Sequence, residues 1–238
     1  MGNEYRKPHI LIFVPDQFRA NVLGHLGDPA AVTPNLDRIC VNDGVSFRNA
    51  FCQNPVCTPS RCSFMSGWYP HVRGHRTMYH MMRKGEPVLL KTLKDNGYFV
   101  WWGGKNDLIP GQDPIDEYCD IYFKPDTDPE RPVDAEETWR GRMEDAGYYS
   151  FYAGKQEKGG KIIHHDSDWV IAEGAVDFIR SYEREEPFCL YLPLSYPHPP
   201  YIVEEPWYSL IDRNKIPDRI PAPECWDDKP SILKGLFE

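Results

Sequence analysis

The sequence predicts a three-layer α/β/α sandwich around a largely parallel central sheet. Three observations carry that prediction. Short apolar runs alternate along the chain with stretches of helical period. The runs end in polar or glycine-rich turns, where open α/β sheets assemble their ligand sites. No internal repeat or low-complexity tract breaks the alternation, and 238 residues suffice for one large domain with a real core.

The elements follow in order. His9 to Val14 is an apolar run closing at Pro15-Asp16, which reads as a buried strand of a parallel sheet. In "TPNLDRICVNDG", Thr33 caps a helix, Pro34 occupies its first turn and Gly44 follows its last. "VSFRNAF", Val45 to Phe51, alternates as a short strand. Pro59 suits the first turn of a second helix, with Cys57 just before it. "PVLLKTLKDNG" is a helix stopped at Asn96-Gly97, and Tyr98 to Trp102 is a strand ending in Gly103-Gly104 ahead of Lys105. Residues 113–161, rich in Pro, Gly, Asp, Glu and aromatics with no sustained period, read as a surface excursion flanking the site. From Asp166 to Glu183 the apolar positions Trp169, Val170, Ala172, Val176, Phe178 and Ile179 predict a packed helix. "PFCLYLPLSY" is the next buried strand, and it hands over to Pro197-His198-Pro199-Pro200.

Composition excludes several functions. The net charge is −9, and no block of Lys or Arg is long enough to track phosphates, so nucleic acid is not an expected partner. Ile10 to Val14 is too short to span a bilayer and lacks the features of a signal peptide; no membrane association and a cytoplasmic location are the expectation. Seven cysteines, an odd number without Cys-x-x-Cys knuckles, favour neither a zinc site nor a disulfide framework, and most read as buried thiols.

The chemistry concentrates in "FCQNPVCTPSRCSFMSG", Phe51 to Gly67. Cys57 lies at the start of a helix, where free N–H groups and the positive dipole end favour an anion. Arg61 is one turn further on, a planar and permanently charged donor for developing negative charge.

"CTPSRCSFMSG" with the following "WYPH" resembles the Cys-x-Pro-Ser-Arg signature of the type I sulfatases of the alkaline phosphatase superfamily. The resemblance runs along most of the chain: "HILIFVPDQ" is similar to the metal-binding first strand, "TPNLDRIC" to the helix after it, "GGKND" to the Gly-Lys turn and "YPHPPY" to the histidine loop. It implies an alkaline-phosphatase-like fold and hydrolysis of sulfate monoesters of small molecules or carbohydrates. It implies that a separate maturation enzyme oxidises Cys57 to formylglycine, whose hydrate is the nucleophile. Asp16, Gln17 and the residue at Cys57 would hold a divalent cation, calcium by their oxygen-rich character. Arg61 and Lys105 would stabilise charge, and His198 would contact the sulfate or protonate the leaving alcohol. His71 and His75 read as structural or peripheral, with His75 also a candidate for substrate contact.

Two departures matter. Asp107 stands where the family pattern Gly-Lys-x-His has its histidine. No later Asp followed by Asn or His and no later sulfate-binding Lys follows "YPHPPY", so the chain, residues 1–238, reads as the N-terminal part of a sulfatase catalytic domain, truncated at its C-terminus, incomplete alone and prone to self-association. Phosphonate or phosphate ester hydrolysis, and an inactive fragment that keeps only the fold, are the alternatives.

Overall fold

The computed structural model describes residues 6–124, 152–155, 167–199 and 201–219, with positions 221, 223, 225, 231 and 235. Much of the predicted 113–161 excursion lies outside the described residues. The chain forms two compact units, Met1–Ala20 with Val45–Ser209, and Asn21–Gly44 with Leu210–Glu238.

The first unit is built on a four-stranded, all-parallel sheet in the order β1 (Ile10–Pro15), β5 (Phe188–Leu194), β2 (Phe99–Gly103), β3 (Ile121–Phe123). β5 is central, pairing Cys189 with both Ile10 and Val100, and its five middle residues are all buried. Because strand side chains alternate between faces, β2, β3 and β5 feed two cores, whereas β1, expected to be a buried strand, gives Ile10, Ile12 and Val14 to one core and leaves Leu11 and Phe13 exposed on its other face. On one face Val100, Trp102, Cys189 and Tyr191 pack with Cys62 and Met65 of α2 (Cys57–Ser66) and Leu90 of α4 (Leu89–Asp95). On the other, Trp101, Leu190 and Leu192 pack under Ile171 and Ala175 of α5 (Ser167–Ser181). Helix, sheet and helix make the predicted three layers. A second, two-stranded parallel sheet joins β4 (Tyr152–Lys155) to β6 (Tyr201–Val203). A one-turn helix, α3 (Pro70–Arg73), follows α2.

Several expectations change. Val45–Phe51 forms no strand: its alternating apolar side chains have no partner strand among the described residues, and Val45, Phe47 and Phe51 are exposed. Instead, Ile121–Phe123 within the supposed excursion pairs with β2 and closes that edge of the sheet. On α5 the buried stripe is Ile171, Ala175 and Phe178, at i, i+4 and i+7, while Val176 and Ile179 lie on the exposed flank. Three cysteines are buried, Cys62, Cys119 and Cys189; Cys52 and Cys225 are exposed.

In the second unit α1 (Pro34–Asn42) starts after Thr33, as the sequence predicts, but the Thr33 hydroxyl does not cap it. It accepts from the Gly24 N–H at 2.9 Å and donates to Asp37, which also accepts from the His25 N–H at 2.9 Å. Among the described residues no helix is long and apolar enough to cross a membrane.

Candidate active site

The site assembles at the carboxyl end of the parallel strands. β1 ends at Pro15, so Asp16 leaves the sheet edge directly, and it is buried. The second segment is α2, which begins at Cys57 itself, one residue earlier than predicted. Val56, in extended conformation, takes the cap position, and the first helical bond runs from the Ser60 N–H to the Val56 carbonyl at 2.9 Å. The third segment is the turn after β2. Gly104 has φ +122, and a Cβ there would run into the Pro193 carbonyl of β5, so only glycine lets the turn lie this close. The Lys105 N–H donates to that same carbonyl at 2.8 Å, which fixes where the lysine side chain starts.

These segments bring four charged groups and a thiol together. Lys105 Nζ lies 2.5 Å from Asp16 Oδ2 and 2.9 Å from Asp107 Oδ2. Arg61 lies 3.3 Å from Asp16 Oδ2 through one terminal nitrogen and 3.8 Å from Asp107 Oδ2 through Nε. Carboxylate and cation therefore alternate around a closed ring. Arg61, 3% exposed, also donates to the Tyr191 hydroxyl at 3.2 Å, so β5 holds it from below. The Cys57 thiol donates to Asp16 at 3.3 Å, and Lys105 Nζ lies 3.6 Å from its sulfur.

The ring sets the protonation states. Burial raises the Asp16 pKa, but the Lys105 hydrogen bond and charge, with Arg61 and the thiol, outweigh it and hold Asp16 below the ordinary carboxylate range. Burial works against the charge of Lys105, yet its two carboxylate partners leave it above the usual ammonium value. Arg61 is likewise held above its ordinary value against burial, by Tyr191 and the two carboxylates. Cys57 moves the other way: burial pushes its thiol up, Lys105 opposes, and Asp16 and Asp107 add to the rise. An unmodified Cys57 is thus a neutral thiol, despite its place at a helix N-terminus.

Asp16, Cys57 and Asp107 offer donor atoms within 4.8 Å of one another, a group able to hold a metal ion. The oxygen-rich pair of carboxylates fits a hard divalent cation, and an oxygen at position 57 in place of sulfur fits it better. Gln17 is exposed and its amide donates to the Tyr201 hydroxyl at 3.0 Å. Gln17 and Asp107 are the non-glycine residues with positive φ among the described residues, 61° and 41°, and both flank this site.

Of the sequence-predicted residues, the structure gathers Asp16, Cys57, Arg61 and Lys105. His198 has no hydrogen bond or ion pair to them among the described residues; its Nδ1 lies 2.9 Å from the Pro199 carbonyl oxygen. Its loop is anchored by Asp168 of α5, which accepts from the Ser195 N–H at 2.9 Å and the Tyr196 N–H at 2.8 Å. His75 is buried, with Nδ1 2.8 Å from the His80 carbonyl oxygen and Nε2 3.0 Å from Glu86, so its contacts are with its own loop rather than with the ring. Asp107 is the ring member the sequence reading did not assign; its place two residues after Lys105 was the available signal.

The family model described as Sulfatase matches residues 8–213. The chain is 26% identical to human N-acetylgalactosamine-6-sulfatase over 238 residues, 90% of this chain and 44% of that protein. It is 36% identical to an ulvan-active sulfatase of Formosa agariphila over 102 residues, 42% of this chain and 20% of that protein. The phosphonate monoester hydrolase of Agrobacterium radiobacter shares the fold at a TM-score of 0.63 and 19% identity, over 89% of this chain and 45% of that one. The chain thus spans less than half the length of the relatives it matches.

Proposed function

The chain belongs to the sulfatase family, and from that premise we propose that it carries the nucleophile end of a hydrolase for sulfate monoesters, with a formylglycine made from Cys57. The observation that carries the reading is the convergence of Cys57 with Asp16, Arg61 and Lys105, the last 3.6 Å from the sulfur. The raised thiol pKa supports modification, because the side chain as encoded is a poor nucleophile near neutral pH. In the hydrate, one hydroxyl oxygen bonds to the ester sulfur while the bond from sulfur to the alcohol oxygen breaks, and the alcohol leaves with a proton. The second hydroxyl then loses its proton and re-forms the aldehyde carbonyl, expelling sulfate. Lys105 and Arg61 balance the charge that builds on the sulfate oxygens, and His198, on its anchored loop, is the proposed proton donor to the alcohol. A divalent ion, calcium by the character of its oxygen donors, would be held by Asp16 and residue 57, with Asp107 within 4.8 Å of both and Gln17 next to Asp16 in the chain as further oxygen donors; it would acidify the attacking hydroxyl.

The substrate class proposed is a sulfated carbohydrate, supported by the N-acetylgalactosamine named in the human relative. Exposed Leu11 and Phe13, on the α5 face of β1, support contact of that face with further polypeptide, including self-association. Mass spectrometry of the tryptic peptide Asn49 to Arg61 from the native host tests the modification, and parallel assays on aryl sulfate and aryl phosphonate esters test the reaction. Persistent thiol at Cys57 in the native host sinks the formylglycine mechanism; faster phosphonate than sulfate turnover makes the phosphonate reading the better one.

A further inference from the structure

Asp107 places a carboxylate beside the nucleophile. Its carboxylate lies within 4.8 Å of the Cys57 sulfur, 2.9 Å from Lys105 Nζ and 3.8 Å from Arg61 Nε. The turn that carries it is tightly determined. Asn106 Oδ1 accepts from the N–H groups of Leu108 at 3.1 Å and Ile109 at 2.8 Å, its Nδ2 donates to the Ile109 carbonyl at 2.7 Å, and Leu108 and Ile109 are buried. Asp107 itself sits at φ 41°, a conformation that Asp tolerates at a cost of about 1 kcal/mol or more. A chain that accepts this strain to place a carboxylate next to its anion site is placing it for a reason.

The charge count supplies the reason. Asp16 and Asp107 balance Lys105 and Arg61, so the four charged side chains of the ring sum to zero, and the divalent ion proposed above would add two positive charges to that sum. A site meant for a doubly charged phosphate monoester would gain from every positive charge it gathers; Asp107, set against Lys105 and Arg61, takes one back whether or not the ion is bound. We propose that Asp107 is a specificity-determining residue that makes the site favour singly charged esters over doubly charged ones. A sulfate monoester carries one negative charge, and so does a phosphonate monoester, whereas a phosphate monoester above its second pKa of about 6 carries two. Each further charge on the ligand is repelled by Asp107 at short range. The inference rests on the ester-hydrolase reading, but not on the choice between sulfate and phosphonate.

The test compares the matured protein, loaded with its divalent ion, with Asp107→Asn and Asp107→Glu, using aryl sulfate and aryl phosphate as substrates. Methyl sulfate and methyl phosphate, titrated by calorimetry, give the same comparison without turnover. Asp107→Asn, which removes the charge and keeps the shape, is expected to shift both the kcat/KM ratio and the affinity ratio toward the phosphate by about tenfold. Asp107→Glu keeps the charge and should keep the ratio. Binding of both anions with an unchanged ratio overturns the charge assignment alone. A parallel loss for both anions together with weaker cation binding overturns it in favour of a metal-ligand role. If neither anion binds the unsubstituted protein, the ester-hydrolase reading falls and the assignment with it.

Discussion

Two clusters of charge are withdrawn from solvent in the same unit, and they are built differently. In residues 75–86 everything closes locally: His75 meets the His80 carbonyl and Glu86, while Glu86 accepts from the Arg83 N–H at 2.8 Å and pairs with its guanidinium at 3.5 Å. Neighbours in sequence satisfy one another, and the result is a rigid loop. Around Cys57 the groups come from the end of β1, the start of α2, the turn after β2 and the middle of β5, and two backbone positions are strained to bring them in. Buried charge alone therefore marks nothing. Convergence from distant segments, strain and a nucleophile left without a structural task mark the functional cluster.

The comparison breaks most readily at Cys57. Cys57→Ala is expected to abolish ester turnover while leaving the melting temperature close to that of the parent, because Ala suits a first helical turn and the thiol contributes no core packing. Next in size, Lys105→Ala removes a charge whose value grows in the transition state, and kcat should fall by about 10²–10³. A near-normal kcat for Lys105→Ala would take the lysine out of the chemistry and leave the ring a purely structural device like its neighbour.

The structural cluster should respond in the opposite currency. Glu86→Gln replaces the carboxylate that faces buried His75 and accepts from the Arg83 N–H by a neutral amide, and the expected loss is about 1–3 kcal/mol of stability, read from the urea midpoint. The kcat of the molecules that remain folded should be unchanged. A fall in kcat with no change in midpoint would show that residues 75–86 belong to the site after all.

Much of this was legible in the sequence, and the reasons are local. β2 and β5 announce themselves because strands buried on both faces need unbroken apolar runs, β1 has the same kind of run although Leu11 and Phe13 leave one of its faces exposed, and α2 stands out because Cys57, Pro59 and Arg61 occupy fixed places in one helical turn. The rest depends on partners. Val45–Phe51 has a strand's alternation but no ladder to join among the described residues, whereas Ile121–Phe123, too short to show any period, becomes a strand because β2 lies beside it. Asp107 was invisible as a site residue because its role is set by Lys105 and Arg61, and the second of these is far away in the chain. His198 stood out for its flanking prolines, and the structure shows what holds its loop without showing contact with the ring.

The smallest effect is the sharpest, since it tests the electrostatics of the ring by sign. Asp16, held low, remains a carboxylate as pH falls until well into the acid range, and Lys105, held high, remains an ammonium above the ordinary lysine value. Between those limits Asp16, Arg61 and Lys105 keep their charges while the Cys57 thiol titrates beside them. In protein made without the maturation enzyme, Cys57 should therefore alkylate with iodoacetamide more slowly at pH near 8 than exposed Cys52, read peptide by peptide in the mass spectrometer. Asp16→Asn removes the anion and the acceptor that favour the neutral thiol, so its pKa falls and alkylation should speed up by about three- to tenfold, one pKa unit being worth a factor of ten. Lys105→Ala removes the cation that favours the thiolate, so alkylation should slow. Cys62, one turn and a half further along α2, is pushed up to about 12 by burial in the core and should not respond to either change. If both variants move Cys57 in the same direction, its reactivity follows access rather than charge, and the ring does not govern the nucleophile's position.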